Sequence, residues 1–422
     1  VTDSRPNALD AKFVDETAHL ALHVGRLLLQ NGTDTAQVQA SVARFAGGFG
    51  CQANLLVNYE ALLVTAVIGE SFRTKVGHQI RAMNVNMAAV SAVNQIVDEA
   101  AEGRLEMVSA RARLEVVEHA RAIWNRWLVV VAMGLCAASL SVLFLGDWPT
   151  FWIVWVAGSV GMWLRQELSR RGMNLFFIAF AGALVSGIVG GIGVHLGWSG
   201  TPALCLVAPG MIIVPGVPLV NGVQDMFKNH MTLGLSRLGL GILITLAIAL
   251  GLFVATLATG AAIPVEAPFH VLSVPMDALF SALAALGYLF LFNVPGRIAW
   301  ACVVCGVVSH TGRTLCLHLG MDILGATLLG ALAVGFLAQG FARHFRVPAA
   351  AFAFPGVVAM IPGAFAFRAF IGSLEIAHAG ANAAPALIAE TFALTVTCVL
   401  MVAAIAIGVA GPVILMKERI LK

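Results

Sequence analysis

Charge is what this chain has least of. Asp, Glu, Lys and Arg make up only 11% of its 422 residues, against about 25% in a water-soluble domain. Hydrophobic residues make up 59%, so most of the chain calls for a solvent other than water. The shortage is uneven. Residues 1–120 hold 10 of the 25 Lys/Arg and 13 of the 22 Asp/Glu, leaving 15 and 9 for all that follows. The chain therefore divides near residue 125 into a polar front and a membrane body. Other absences exclude whole function classes. The net charge is +3 and no basic patch is interleaved with aromatics, so no nucleic-acid partner is expected. The seven cysteines lie mostly in apolar stretches and give no disulfide framework; they read as small buried hydrophobes. The front holds no P-loop, dinucleotide fingerprint or nucleophile–base pair and the chain no convergent catalytic set, so neither an enzyme nor a cofactor is expected. Val1–Lys12 is polar without an apolar core, so no signal peptide is expected. The front is then expected to stay in the cytoplasm, with the stretch beginning near Trp127 as the first anchor.

The front reads as a small α+β domain. Ala18, Leu22, Leu27 and Leu28 recur at helical spacing between Asp15 and Gln30, and Asn31-Gly32 stops the helix. Asp34 with Gln37 resembles a capping box for a second helix ending near Gly47-Gly48. Asn54–Val57, Ala61–Ile68 and Phe72–Val76 look like strands, and two helices follow at about Val85–Ala101 and Met107–His119. Glu60, Arg73, His78, Arg81 and Asn84 are the polar residues for a site here; solvated faces of a docking or regulatory module are the alternative.

The body repeats itself about 148 residues apart. Gly158, Arg165, Gly172-Met173-Asn174, Gly182-Ala183-Leu184 and Gly187 return as Gly306, Arg313, Gly320-Met321-Asp322, Gly330-Ala331-Leu332 and Gly335. Pro209-Gly210 and Pro215-Gly216 return as Pro355-Gly356 and Pro362-Gly363. A duplicated apolar unit with a break in each copy is a common plan for secondary transporters. Ten stretches approach the roughly 20 residues that cross a bilayer: Trp127–Leu145, Thr150–Leu164, Asn174–His195, Thr201–Val220, Leu238–Thr259, Val274–Phe292, Ile298–Leu315, Asp322–Phe341, Ala349–Phe370 and Pro385–Leu415. With the N-terminus inside, 13 Lys/Arg of the body fall on the cytoplasmic side and only Arg313 and Arg368 outside. Five spans per copy is odd, so the copies are predicted to be inverted about an in-plane axis. The fold expected is an α-helical polytopic membrane protein. It has ten transmembrane helices as two inverted five-helix repeats (126–262 and 263–422) behind an N-terminal cytoplasmic α+β domain (1–125).

Four elements are candidates for transport. Pro215-Gly216 and Pro362-Gly363 break two spans; broken spans survive where freed carbonyls face protein or a wet cavity, and simple packing kinks are the alternative. Asn221 and Asp225 follow the first break, and Asn221 falls opposite Arg368 when counted from the second. An Asn amide and an Arg guanidinium suit a carboxylate; an ordinary loop carrying Asp225 and Lys228 is the alternative. His310 and Arg313, with His318 and Asp322 nearby, bring a proton carrier next to a cation; an interfacial cluster at a span end is the alternative. Cys302, Cys305, His310, Cys316 and His318 superficially resemble a zinc set, but the first pair sits inside an apolar helix, so no metal is expected. Glu390 lies midway along the last apolar run and suits proton coupling; a pairing with Arg237, or helix-packing glue, is the alternative.

These residues carry a resemblance to the threonine/serine exporter family. Leu27-Leu-Leu-Gln-Asn-Gly32, Arg81-Ala-Met-Asn84 and Val214-Pro-Gly-Val-Pro-Leu-Val-Asn-Gly222 with Asp225-Met-Phe-Lys228 look like its first part. Phe292-Asn-Val-Pro-Gly-Arg297, His310-Thr-Gly-Arg313 and Ile361-Pro-Gly363 look like its second. The resemblance implies proton-driven export of a small carboxylated metabolite across a prokaryotic inner membrane, with both termini cytoplasmic. L-threonine and L-serine come first. Some members are split into two proteins that export succinate, and the first-break motif resembles those. A passive channel is the remaining alternative. Substrate binding is expected at Pro215, Gly216, Asn221, Arg313, Pro362, Gly363 and Arg368, and proton coupling at Asp225, His310 and Glu390. Expected partners are the bilayer, the carboxylate and protons; a homo-oligomer stays open.

Overall fold

The computed structural model describes residues 8–58, 61–78, 84–261 and 271–420. The front begins with α1 (Ala8–Gln30) and α2 (Thr35–Gly48). Gly32 takes a φ of +98° in the turn between them, and Asp34 caps α2 by accepting from the Gln37 amide at 3.3 Å. Strands β1 (Gln52–Val57), β2 (Ala61–Ile68) and β3 (Ser71–His78) form an antiparallel meander in that order. Ala53 and Leu55 of β1 and Leu62, Val64 and Ala66 of β2 alternate inward, where α1 and α2 cover the sheet. The next helices are α3 (Met87–Ala101), capped by Asn86, and α4 (Met107–Glu118). Leu28, Phe45, Val64, Val93 and Leu114 belong to one core. The three strands and four helices fall where the residue pattern predicts them. Glu60, Arg81 and the His78 side chain lie outside the described residues. Arg73 donates to its neighbour's carbonyl, Phe72 O, and is exposed.

The body continues with α5 (Arg126–Leu143), α6 (Trp148–Arg170), α7 (Leu175–His195), α8 (Pro202–Met211), α9 (Gly216–Phe227) and α10 (Met231–Thr259). Its second half holds α11 (Val274–Leu291), α12 (Ala299–His318), α13 (Ile323–Phe345), α14 (Ala350–Val357), α15 (Gly363–Ala379) and α16 (Pro385–Ile420). Among the described residues seven helices are long and apolar enough to cross a membrane, and nine if each bent pair counts as one span. The ten predicted spans exceed this by α6. That helix has the length, 23 residues, but its last turns carry Arg165, Glu167 and Arg170.

The two halves pack by the same rules. In the first, α6 lies against α5 and α7, and α10 against α7 and α9; in the second, α12 lies against α11 and α13, and α16 against α13 and α15. The repeated glycines explain why. A Cβ on Gly158 would sit 2.9 Å from the Ala137 methyl, and one on its mate Gly306 2.4 Å from that of Ala285. Both copies therefore hold the same close helix crossing, as small residues allow in membranes. The Gly-Met-Asx motif is a corner. Gly172 and Gly320 have φ of +69° and +84°, and Asn174 and Asp322 then cap α7 and α13. Asp322 is thus spent on a helix start rather than on the polar cluster near His310. The halves meet mainly through α5 against α11 and α9 against α16.

Candidate functional site

Among the described residues each half contains one apolar helix pair bent at proline. The α8–α9 pair bends by 59° and the α14–α15 pair by 46°. Pro215 has φ −77° and ψ 66°, and Pro362 has φ −77° and ψ 52°. In both, the amide of the following glycine closes onto the carbonyl before the proline, Gly216 N to Val214 O at 2.8 Å and Gly363 N to Ile361 O at 2.7 Å. These are inverse γ-turns, so the duplicated sequence gives duplicated break geometry. Pro218 does not add to the break; it lies in the first turn of α9, where its missing N–H leaves no gap. Pro355 removes the donor that Ala351 O would receive, and Cys302 Sγ supplies one at 3.2 Å. Ser309 Oγ likewise donates to Gly356 O at 2.7 Å. In the second half, carbonyls at the break are thus satisfied from the neighbouring helix, as a broken span requires.

The two breaks touch. A Cβ on Gly216 would lie 2.1 Å from Ile361 Cδ1, and one on Gly363 3.1 Å from Val214 Cγ2. Beside them a cavity of about 450 Å³ opens between α9, α10, α15 and α16. Val214, Pro362 and Gly363 reach it, and its few polar atoms belong to Thr245, Ser373, Thr395 and Cys398. Among the described residues no charged side chain lines it.

The charged residues gather elsewhere. His310 and Arg313 sit on the buried side of α12, facing Asp277 in the first turn of α11. His310 Nδ1 lies 2.9 Å from Asp277 Oδ2, and Thr314 Oγ1 donates to the same oxygen at 2.7 Å. Thr311 Oγ1 donates to Asp277 Oδ1 at 3.0 Å. Arg313 Nη2 lies 2.7 Å from His310 Nε2. An ionised carboxylate only accepts and a guanidinium only donates. The imidazole must then be neutral, with its proton on Nδ1. A proton arriving at Nε2 and the hydrogen bond from Arg313 exclude each other. Asp277 and His310 are 1% and 2% exposed, so this relay is closed to solvent. Asp277 was not among the residues singled out in the sequence. It follows Ser273 and Pro275, where an acid reads as an ordinary helix start; its facing Thr-x-x-Thr on α12 is visible only in the fold.

Arg368 on α15 reaches Glu390 on α16, Nη2 to Oε1 at 3.7 Å. Glu390 is not midway along a span: α16 begins at Pro385 and runs 36 residues, which puts Glu390 in its second turn. The proposed Arg237–Glu390 pairing is corrected as well. Arg237 Nη1 binds Asp225 Oδ2 at 2.6 Å, and both side chains are at most 1% exposed. Asp225 and Asn221 are not in a loop but in α9, and α10 starts before Arg237.

That part of α9 is where the front docks. Thr35 N donates to Asp225 Oδ1 at 3.0 Å, Arg237 Nη2 to Thr33 O at 3.0 Å, and Asn221 Nδ2 to Gly32 O at 2.9 Å. Lys228 Nζ lies 2.8 Å from Asp34 Oδ1. Asn221 thus spends its amide on the α1–α2 turn, rather than opposite Arg368. The front also grips the α11–α12 corner. Met87 N and Ala88 N donate to Phe292 O and Asn293 O at 2.9 and 3.1 Å, and Trp124 Nε1 to Val294 O at 2.9 Å. The cores interleave: Leu233 of α10 belongs to the front's core and Met87 to that of the body. The front's own polar cavity, about 530 Å³, is lined by His19, His23, Arg26, Lys75, Glu115 and Glu118 among others. Burial holds the His19 and His23 imidazoles below the usual range. Among the described residues no group of three or more His, Cys, Asp or Glu can hold a metal ion.

Comparison with known proteins places this architecture. Residues 19–258 match the family model described as "Putative threonine/serine exporter", and residues 277–415 match "Threonine/Serine exporter, ThrE". The chain is 30% identical over 241 residues to the "Probable succinate transporter subunit YjjP" of Escherichia coli, covering 56% of this chain and 92% of that protein. It is 20% identical over 385 residues to a threonine/serine exporter of Corynebacterium glutamicum, covering 87% and 77%. No solved structure matches. With broken spans at matched positions in two like halves, and family models covering both, the chain belongs to the threonine/serine exporter family.

Proposed function

We propose that this protein is a proton-coupled secondary exporter of a small carboxylated metabolite, with L-threonine and L-serine as first candidates. The ten-span inverted-repeat plan, with the front and both termini in the cytoplasm, is part of this reading. The touching breaks at Pro215-Gly216 and Pro362-Gly363 act as the pivot of alternating access. Arg313 and Arg368 bind the carboxylate. His310 carries the proton, and Glu390 is a second proton group. Asp225 is assigned to docking the front.

The observation that carries the coupling is the mutually exclusive use of His310 Nε2 by a proton or by Arg313. A proton at Nε2 releases the Arg313 donor, so proton occupancy and carboxylate binding are linked. Linkage of this kind is reciprocal. A cation with two alternative partners, one of them titratable, is the minimum that proton-linked carboxylate binding needs.

Counterflow in proteoliposomes with labelled serine, threonine and succinate side by side tests the reading. An imposed pH gradient should drive uptake against the substrate gradient. Flux that only follows the substrate gradient would make the protein a passive channel. Succinate is the second substrate reading. It is favoured by the 30% identity, over 241 residues, to a protein named as a succinate transporter subunit.

A further inference from the structure

We propose that Arg165 forms a second anion site, at the end of α6 nearest the front, and that it takes the substrate carboxylate there as Arg313 does in the other half. The identity of the ligand rests on the exporter reading; the site itself rests on three observations.

The first is position. The buried face of α6 runs through Val154, Ala157, Gly158, Gly161 and Met162, and Arg165 is the next residue in that stripe. The buried face of α12 runs through Cys302, Cys305, Gly306, Ser309 and His310, and Arg313 is next in turn. Each member of the first series stands 148 residues before its mate. Arg165 therefore points where Arg313 points, along a helix interface. Its stem lies on α7: a Cβ on Gly182 would be 2.8 Å from Arg165 Cγ. The mate, Gly330, packs on α12 chiefly at the Ser309 backbone, with Arg313 Cβ 3.5 Å from its Cβ position.

The second is the missing partner. Arg313 has His310, but Arg165 has Met162, whose sulfur lies 3.9 Å from Nη1. A thioether is a weak acceptor. Among the described residues no carboxylate forms an ion pair with Arg165, and its Nε is buried without a hydrogen-bond partner. Glu167, the nearest acid in sequence, turns to Arg126 and Arg171. A guanidinium held along a helix interface without a counter-charge is costly, and such a group is a candidate ligand contact.

The third is location. Gln166, the next residue, donates to Arg126 O at 3.3 Å, and Arg126 starts α5 directly after the front. The relay at Asp277 is at the opposite end of α11 from Phe292, the residue that accepts from Met87 of the front. The two arginines thus stand at opposite ends of the helical body, one able to meet a carboxylate as it enters and the other as it leaves. A lipid phosphate offers the same chemistry, so the test must separate the two sources.

The full chain is reconstituted with known orientation, in zwitterionic and in anionic phospholipid. Counterflow of serine, threonine and succinate is measured from each face for wild type, R165Q, R165K and R313Q. R165Q should raise the half-saturating concentration on the front-domain face by about tenfold and leave the other face nearly unchanged; R165K should restore part of it. An equal rise on both faces, or none, overturns the proposal, because a merely structural arginine has no side. A second measurement does not need flux. Phenylglyoxal modification of Arg165, read by peptide mass spectrometry in zwitterionic nanodiscs, should be slowed severalfold by serine, threonine or succinate and not by chloride, with Arg171 as internal control. Protection without flux sinks the exporter reading and keeps the site. Flux without protection sinks the site and keeps the exporter. Protection by anionic lipid alone assigns Arg165 to the bilayer and overturns the substrate role.

Discussion

The two membrane halves share a scaffold and differ in what they hang on it. Both break a span with an inverse γ-turn at Pro-Gly, both turn a corner at Gly-Met-Asx, and both bring α6 or α12 close to its neighbour at a glycine. The charged groups do not follow the duplication. In the first half, Asp225 and Arg237 form a buried pair that receives the front. In the second, Asp277 is handed to a histidine that also meets Arg313. A packing surface has to be repeated if the helices are to be repeated. A polar group has to be repeated only if its job is the same at both ends. The difference between the halves therefore separates scaffold from function more cleanly than either half alone.

The sharpest way to break the comparison is to treat Asp225 as if it were Asp277. Asp225→Ala leaves Arg237 buried and unpaired, a change that costs about 3–5 kcal/mol. Thermal unfolding should show the loss, and limited proteolysis should show the front released. Asp225→Ala with unchanged melting would mean that the pair is not a structural joint. Next come the breaks. Gly216→Leu and Gly363→Leu each place a side chain against the opposite break, at Ile361 or Val214. Both should reduce flux by about tenfold or more, one decade corresponding to about 1.4 kcal/mol, while the protein still folds. A large effect in one half only would deny that the breaks work as a pair. Then the relay: His310→Gln keeps an acceptor for Arg313 but cannot take the proton, so flux should persist and its pH profile flatten. An unaltered profile assigns proton coupling elsewhere, with Glu390→Gln as the next variant to assay. The smallest effect lies in the front. The His23 imidazole is held below its ordinary value by burial, against the pull of Glu118 2.8 Å away. The unfolded chain then takes up the proton first, so the front loses stability as pH falls below about 6.5. The slope of melting temperature between pH 7 and 5 should be shallower in His23→Gln.

Periodicity made the front legible, because four helices and three strands are short-range patterns closed by Gly32, Asp34 and Asn86. Spacing made the breaks legible too, because proline acts on the carbonyl four residues before it wherever the helix goes. What could not be read was the partner of each charge. Arg237 finds Asp225 twelve residues away on the next helix, and Thr35 joins them from 190 residues off; no local pattern encodes that meeting. Glu390 looked central because α16 runs 36 residues, longer than a bilayer needs, and an apolar run does not say which part of it is at the middle. Asp277 was hidden by its place in a first helical turn, where acids are common. Charge placement gave an expected direction for the whole chain, and Arg313 and Arg368 stood out because they alone fell outside.

The front is tied to itself between its two grips. Asn84 N donates to Gln30 O and Asn86 N to Asn31 O, at 2.9 and 3.2 Å, so the segment that holds α9 and the segment that holds the α11–α12 corner are one hydrogen-bonded unit. Mechanically this is a yoke across two levers. If the halves rock during a transport cycle, they can do so freely only by letting go of one end of it, and the end that slips first will set the resting posture of the machine. A chain without the yoke should cycle with less restraint and idle in a different posture, which interspin distances between α9 and α11 would register.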